Sequence, residues 1–184
     1  TVLDIAHGEH IDDGRVRARL GQRNFADRYV CREGRNDFVF PFRRLGARFL
    51  EVHITKFKKP VTIRRMTLIP TEAPIEEIGA FEAPDPLANQ MFRVARRTIH
   101  LCMHEHFEDC PWREQALYAY DSRNEAIFSY YAFGATDFAA ASHDLLGRGL
   151  REDGVLEMIA PGRCFRTIPN FSNIWIVEVA EHCL

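Results

Sequence analysis

The sequence has no long apolar run and no marked excess of either charge. Of its 184 residues, 24 are Lys or Arg and 26 are Asp or Glu, which gives a formal net charge of -2 at pH 7. A chain so close to neutrality offers no general attraction for nucleic acid or for an anionic membrane surface. Its apolar runs are also far shorter than the ~18 residues that a transmembrane helix requires. We therefore expect neither a nucleic-acid partner nor a membrane span.

Paired cysteines and glycine-rich phosphate loops are missing as well. The five cysteines include no CxxC pair, which argues against a disulfide scaffold and against a standard zinc module. Without a glycine-rich loop there is no nucleotide site to predict. We expect neither a metal nor an organic cofactor.

Two isolated patterns could suggest other chemistry. His100 and His104 lie four residues apart, a spacing at which two imidazoles on a helix can share a metal. The residues between them lack the Glu of a zinc hydrolase, so packed or exposed histidines are the favoured interpretation. Cys110 could act as a nucleophile with His106, but no third group is evident to orient the pair.

The chain begins at Thr1 without a Met, and its first residues lack the basic start and apolar segment of a secretory signal. A terminal apolar helix runs up to Leu184 without a capping residue. We expect the sequence to be a fragment of a longer protein. The cytoplasm, the periplasm and the exterior all stay open as its compartment, and so does assembly as a homo-oligomer.

The N-terminal part of the sequence predicts β-strands. Short apolar or alternating runs are separated there by Gly and Asp. Leu50, Val52 and Ile54 alternate with polar residues, which is the period expected when one face of a sheet is buried. A hairpin turn is predicted at residues 12–14. The predicted strands are Arg15–Leu20, Phe25–Cys31, Asp37–Pro41, Ala47–Thr55 and Val61–Ile69.

The composition changes between Pro70 and Pro86, a stretch that contains four prolines and five acidic residues. Neither a helix nor a central strand is favoured in such a stretch. Beyond it the pattern becomes helical, which predicts an α+β chain with a strand-rich part at residues 1–78 and a helical part at residues 79–184. The predicted helices run from Asp85 to about His106, from Ser122 to about Gly134, from Asp137 to about Leu146, and from Pro169 to the end. The second of these is predicted to begin with a capping box formed by Ser122 and Glu125.

A group of acidic and aromatic residues lies between the first two predicted helices. Asp109, Glu114 and Asp121 occur there among Trp112 and two tyrosines. Carboxylates beside aromatic rings are typical of carbohydrate sites, because rings stack on the apolar face of a sugar while carboxylates bind hydroxyls or transfer protons. The start of the next helix would favour the ionised form of Asp121, whereas partial burial among the rings would raise the pKa of Glu114. Taken without further information, the same loop is also consistent with a solvated helix start.

The order of these residues resembles a known signature. Asp109-Cys110-Pro111-Trp112-Arg113-Glu114, with Asp121 seven residues further on, is similar to the acidic motif of the α-L-rhamnosidases, glycoside hydrolase family 78. The stretches DIAHGEHIDDGRV and FRRLGARFLEVHI resemble the last strands of the β-sandwich that precedes the catalytic domain in that family. DGVLEMIAP and IPNFSNIWIVEVAEHCL resemble the loop and helix after its second helical hairpin. The resemblance covers most of the chain.

The resemblance implies a fold and a set of roles. Residues 1–78 would be the C-terminal part of a β-sandwich, and residues 79–184 would be the first helical hairpins of an (α/α)6 barrel. Glu114 would be the general acid, Asp109 and Asp121 would hold sugar hydroxyls, Arg113 would orient the carboxylates, and Trp112 would form a wall of the subsite. The substrate would be a rhamnose-containing glycoside or oligosaccharide.

The family acts with inversion, which requires a second carboxylate as base at roughly 6.5–9.5 Å. In the family that base is a Glu much later in the barrel, so the resemblance implies that the present chain lacks it and is inactive alone.

One departure from the family pattern concerns the wall around the sugar. Many members have Gly-Trp-Thr-Gly before the last Asp, whereas here the residues at 117–120 are Leu-Tyr-Ala-Tyr. The spacing of the acids is kept, and a related deoxysugar or a uronic acid is a further candidate substrate. Two alternatives remain open: a carbohydrate-binding module, and a degenerate relative of the glycosidases without activity.

Overall fold

The computed structural model describes residues 1–162 and 164–184 and divides into two compact units, Thr1–Pro70 and Thr71–Leu184. The first contains strands and the second contains four helices. The α+β composition predicted from the sequence is therefore present. None of the helices in the described part of the chain combines the length and apolar character needed to cross a membrane.

The strand unit is built around a three-stranded antiparallel sheet. Its central strand β1 (Val2–Gly8) pairs on one side with β6 (Ala26–Val30) and on the other with β7 (Phe49–Thr55). The residues between β1 and β6 form two short ribbons, β2 (Ile11–Asp12) with β3 (Arg15–Val16) and β4 (Arg19–Leu20) with β5 (Arg23–Asn24).

The predicted hairpin turn at residues 12–14 is confirmed. Asp13 and Gly14 both have positive φ, at 50° and 73°, as the tight turn of a two-residue hairpin requires.

Three strand predictions need correction. Arg15–Leu20 is divided between β3 and β4, which lie in different ribbons. Asp37–Pro41 and Val61–Ile69 carry no strand in the described structure. An apolar run becomes a strand only when a neighbouring strand supplies hydrogen bonds, and the pattern of side chains does not reveal whether one does.

The helical unit contains α1 (Pro86–Leu101), α2 (Ala119–Phe133), α3 (Thr136–Gly147) and α4 (Pro169–His182). Its core is one cluster of buried side chains to which α1, α2, α3 and the loops between the helices contribute. Phe107 and Met103 are fully enclosed, and Leu117, Leu146 and Leu156 are nearly so. Two of these residues, Phe107 and Leu117, lie at the ends of the acidic loop and anchor it to the core.

Local sequence explains the start of α1 and the end of α2. The Asp85 carboxylate accepts a hydrogen bond of 2.9 Å from the Leu87 N–H, and Pro86 occupies the first turn, as predicted for α1. Gly134 ends α2 in the left-handed conformation with φ 60°. The prediction that α1 extends to about His106 is wrong, because the chain leaves the helix after Leu101 and forms a bridge between Met103 and Phe107.

Residues 71–78 belong to the helical unit, although the sequence placed the change at residue 78. The Ala73 N–H donates to the Met103 carbonyl at 3.1 Å, and Glu72 pairs with Arg97 at 2.8 Å. Ala73 is buried in the helical core. Prolines make this segment irregular, but its apolar residues still pack against the helices.

Gly79 allows this segment to approach α2 closely. Its N–H donates to the Ala132 carbonyl at 2.9 Å, and a Cβ at this position would lie 1.9 Å from the Tyr131 carbonyl oxygen. We expect Gly79→Ala to lower the free energy of unfolding by about 3 kcal/mol, at the upper end of overpacking effects. Urea denaturation followed by tryptophan fluorescence measures this, and Gly162→Ala, which meets only ordinary contacts, is the control. Equal stability of the two variants would contradict the close approach.

Candidate active site

The loop between α1 and α2 carries most of the acids, and backbone hydrogen bonds close it on itself. The Asp109 N–H donates to the Ala116 carbonyl, and the Ala116 N–H donates back to the Asp109 carboxylate, both at 3.0 Å. Further along, Leu117 forms a bridge with Ala160. Gln115 has φ 52°, a left-handed conformation that reverses the chain inside the loop. Asp109 and Glu114 are thereby brought to the same side.

Asp109 and Glu114 form a close pair with Cys110. A carboxylate oxygen from each acid and the Cys110 Sγ all lie within 4.8 Å of one another. The Cys110 Sγ also accepts a hydrogen bond of 3.3 Å from the Glu114 N–H, so this cysteine supports the loop. Burial, and next a hydrogen bond with Glu114, raise the pKa of Asp109 to about 6. Asp109 therefore keeps its proton into weakly acidic solution, next to the Glu114 carboxyl.

Arg113 and Trp112 flank this pair differently. The Arg113 Nη2 lies 3.2 Å from the Glu114 Oε1, and half of the Arg113 side chain is exposed. The ion pair raises the pKa of Arg113, first through its hydrogen bond with Glu114. Trp112 is only 7% exposed, so most of its ring packs inside the protein.

Asp121 lies in the first turn of α2, close enough for the Glu114 charge to act on it. The sequence predicted that the start of this helix would favour the ionised form. The direction is the opposite: burial raises the pKa of Asp121 by more than the hydrogen bond from its own backbone N–H lowers it, and the negative charge of Glu114 adds to the increase.

The predicted capping box at the start of α2 is wrong. The helix begins at Ala119, and Tyr118 occupies the N-cap without a side-chain hydrogen bond. Ser122 is inside the helix and fully buried, and its hydroxyl donates to the Glu178 carboxylate at 2.7 Å. A bond to a helix 56 residues later is a tertiary contact that local spacing does not indicate.

Aromatic rings meet at the starts of α2 and α4. The Phe171 ring stacks on Tyr120 with centroids 6.2 Å apart and meets Tyr118 edge-on at 6.1 Å. Tyr120 is about half exposed. Phe171 was not among the residues predicted for the site, and only its position just after Pro169, at a helix start, could have indicated it.

His100 and His104, considered above as metal ligands, and the nearby His106 each have a polar group close to the ring. The His100 Nε2 lies 3.1 Å from the Ala73 carbonyl, and the His106 Nδ1 lies 2.7 Å from the Phe107 carbonyl. The His104 Nδ1 lies 3.2 Å from the Glu108 carboxylate. Each of these three imidazole rings therefore has a polar neighbour within the helical unit.

Three further acids near Asp109 and Asp121 were not predicted as members of the site. Glu108 and Glu178 are almost completely buried, and Glu178 pairs with the His143 Nδ1 at 2.9 Å. Glu125 lies on α2, and burial followed by repulsion from Asp121 raises its pKa to about 9. Glu is usually solvated, so nothing in the sequence indicated that Glu108 and Glu178 would be buried, and Glu125 was predicted only as part of a helix cap.

The chain is similar to a family profile and to a curated protein, both of which are described as alpha-L-rhamnosidase. The sequence profile described as the bacterial alpha-L-rhamnosidase 6 hairpin glycosidase domain matches residues 76–181, more than half of the chain. An alpha-L-rhamnosidase of Formosa agariphila is 28% identical over 111 residues, which are 60% of this chain and 11% of that protein.

Two solved structures are similar over nearly the whole chain. The family 78 rhamnosidase of Bacillus sp. GL1 is 31% identical with a TM-score of 0.83, and the match covers 99% of this chain and 19% of that one. A rhamnosidase from Klebsiella oxytoca, solved with rhamnose bound, is 19% identical with a TM-score of 0.70. That match covers 98% of this chain and 38% of the Klebsiella chain, and at such identity it shows the fold alone. The chain thus spans well under half the length of these relatives.

Proposed function

This chain belongs to the bacterial α-L-rhamnosidase six-hairpin glycosidase family, and from that membership we propose that the whole protein hydrolyses terminal α-L-rhamnosides with inversion, using Glu114 as the general acid. The observation that carries the proposal is the close pair of Asp109 and Glu114, whose carboxylate oxygens lie within 4.8 Å of each other and in which the pKa of Asp109 is raised to about 6. A general acid must hold a proton under working conditions and release it to the leaving oxygen. A carboxyl whose neighbour is a second acid meets that need.

The family also suggests what the two units are. We assign the strand unit to the C-terminal part of a β-sandwich and the helical unit to the first hairpins of an (α/α)6 barrel. The similarity to the Bacillus structure over 99% of this chain supports both assignments.

The other loop residues have roles that fit their surroundings. Asp109 and Asp121 are half-buried carboxylates beside Glu114 and would bind sugar hydroxyls, because a carboxylate oxygen accepts hydrogen bonds from a diol. Arg113 would compensate the charge of Glu114 after proton transfer, since the two already form an ion pair at 3.2 Å. The small exposed part of Trp112 would border the subsite.

An inverting reaction needs a second carboxylate that activates water on the opposite face of the sugar. We propose that this base is a Glu of the later barrel, outside the present 184 residues, and that these residues alone are inactive. The rhamnoside would be bound and protonated by this part, and water would be delivered by the other.

Hydrolysis of a panel of p-nitrophenyl glycosides tests the proposal. The full-length parent should release p-nitrophenol from the α-L-rhamnoside, and the 184-residue chain should not. Proton NMR of the first product should show β-L-rhamnose before mutarotation. If the parent releases product from no sugar, a binding or degenerate role replaces the proposal. Activity of the short chain alone would contradict the absence of the base.

The rate should depend on pH through the proton of the Asp109 and Glu114 pair. As the pH rises through about 6, Asp109 loses its proton, and the pair then holds no proton that Glu114 could donate. We therefore expect kcat/KM of the parent for a rhamnosyl disaccharide, whose leaving group must be protonated, to fall about tenfold per pH unit above that value. Initial rates between pH 4 and 9 measure this, and a profile that stays flat up to pH 8 would contradict it.

Asp121→Asn separates sugar binding from helix stability. An amide keeps the size of the side chain but loses the charge that strengthens hydrogen bonds from hydroxyls, so the Kd for rhamnose should rise about tenfold. Stability should change by less than about 0.5 kcal/mol, because Asp121 caps no backbone N–H from another residue. Calorimetry and urea denaturation give the two numbers. A loss of stability without a loss of affinity would favour a purely structural role.

A further inference from the structure

Glu125 lies beside the acid cluster but has no role in the scheme above. It follows Asp121 by four residues on α2, so the two side chains lie on the same face of the helix. Its Oε2 is completely buried and has no hydrogen-bond partner in the described residues. A buried carboxyl oxygen without a donor is costly when charged and much less so when neutral.

The other two buried acids each have a histidine within ion-pair distance, although the Glu178 Oε2, like the Glu125 Oε2, accepts no hydrogen bond from the described residues. Glu108 has the His104 imidazole at 3.2 Å. Glu178 accepts from Ser122 and pairs with His143. A partner of this kind stabilises an ionised carboxylate, and Glu125 lacks one among the described contacts.

The groups that act most strongly on Glu125 are acids from every neighbouring element. They are Asp121 on the same helix, Asp109 and Glu108 in the loop, and Glu178 on α4. The Cys102 thiol at the end of α1 also interacts with Glu125. Burial and these like charges together raise the pKa of Glu125 to about 9.

We propose that Glu125 is a positioning residue of the acid cluster: its uncharged carboxyl, whose Oε2 is buried without a hydrogen-bond donor in the described residues, limits the negative charge around Asp109 and Asp121 and so sets the alkaline limit of sugar binding. The part about sugar binding rests on the proposed function. When Glu125 loses its proton, a further negative charge is placed inside the protein next to the two carboxylates. Repulsion then moves these carboxylates and increases their own proton affinity.

Carboxyl ¹³C chemical shifts in the 184-residue chain test the proposal directly. In the unmodified chain, the shifts of Asp109 and Asp121 should show a step near pH 9. The step should be absent from Glu125→Gln, which keeps the shape of the neutral acid, and present in Asp137→Asn, which removes an exposed acid from the first turn of α3. Glu125→Met, an uncharged side chain of similar length, provides a second variant if the Gln variant folds poorly.

Rhamnose binding by the full-length parent supplies the second readout. From pH 8 to 10, the Kd should rise on the order of tenfold in the unmodified protein and stay constant in Glu125→Gln. A step near pH 9 that persists in Glu125→Gln, or a Glu125 carboxyl that titrates near its ordinary value, would overturn the proposal. If the step disappears with the substitution but no rhamnose is bound at any pH, the proposed function fails while the control of the cluster's charge by Glu125 stands.

Discussion

Replacing Glu114 with Gln is expected to lower kcat of the full-length parent by about 10²- to 10⁴-fold on rhamnosides with poor leaving groups, the usual contribution of a general acid. An amide cannot protonate the departing oxygen. It keeps the size and the hydrogen-bonding edge of the side chain, so KM should change little. Steady-state kinetics on a rhamnosyl disaccharide measure the effect.

The choice of leaving group makes this result specific to proton donation. With p-nitrophenol, which leaves without protonation, the loss in kcat should be much smaller. Glu152→Gln, at an exposed acid of the helical unit, is the matched control and should retain full activity. Equal losses on both kinds of substrate would indicate damage to the site, and unchanged activity of Glu114→Gln would remove the assignment.

Replacing Glu125 with Gln is expected to stabilise the 184-residue chain by an amount that grows with pH. The folded state keeps the Glu125 proton up to about pH 9, whereas the unfolded chain releases it near 4.5. Between these values the unfolded state binds fewer protons, so the stability of the unmodified protein falls as the pH rises. Gln does not titrate and avoids this loss of about 1.4 kcal/mol per pH unit, which amounts to about 3 kcal/mol at pH 7.

Both tryptophans, Trp112 and Trp175, lie in the helical unit, so their fluorescence reports its unfolding in urea. The free energy of unfolding of Glu125→Gln is compared with that of the unmodified chain at pH 5 and at pH 7. Titration of Asp109 and Asp121 affects both proteins alike, so it cancels in the difference. Asp137→Asn should show no such difference. A stability difference for Glu125→Gln that is the same at both pH values would show that Glu125 titrates normally.

The features that the sequence predicted correctly depend on local chemistry. Asp85 and Pro86 start α1, Gly134 ends α2, and the turn at residues 12–14 uses residues that tolerate positive φ. Each of these depends on groups within a few residues, so the one-dimensional pattern contains the information. The spacing of the acids was likewise sufficient to place Asp109 and Glu114 in one loop.

The features that it missed depend on distant partners. The Ser122 hydroxyl looked like a helix cap but bonds to Glu178 on another helix. The pKa of Asp121 rises because of enclosure, which a sequence does not report. Phe171 reaches Tyr120 only when α4 is placed beside α2. The roles of Arg113 and Trp112 came from family resemblance and stay predictions.

The self-closed loop between the helices also affects how the protein can bind a sugar. Asp109 and Ala116 bond to each other twice, Cys110 holds the Glu114 N–H, and the Gln115 side chain bonds to a carbonyl of the loop at 2.8 Å. The loop is therefore preorganised: its conformational entropy is lost during folding and not when a ligand arrives. The contacts of the sugar with these carboxylates can then contribute to affinity without a further cost of ordering the loop.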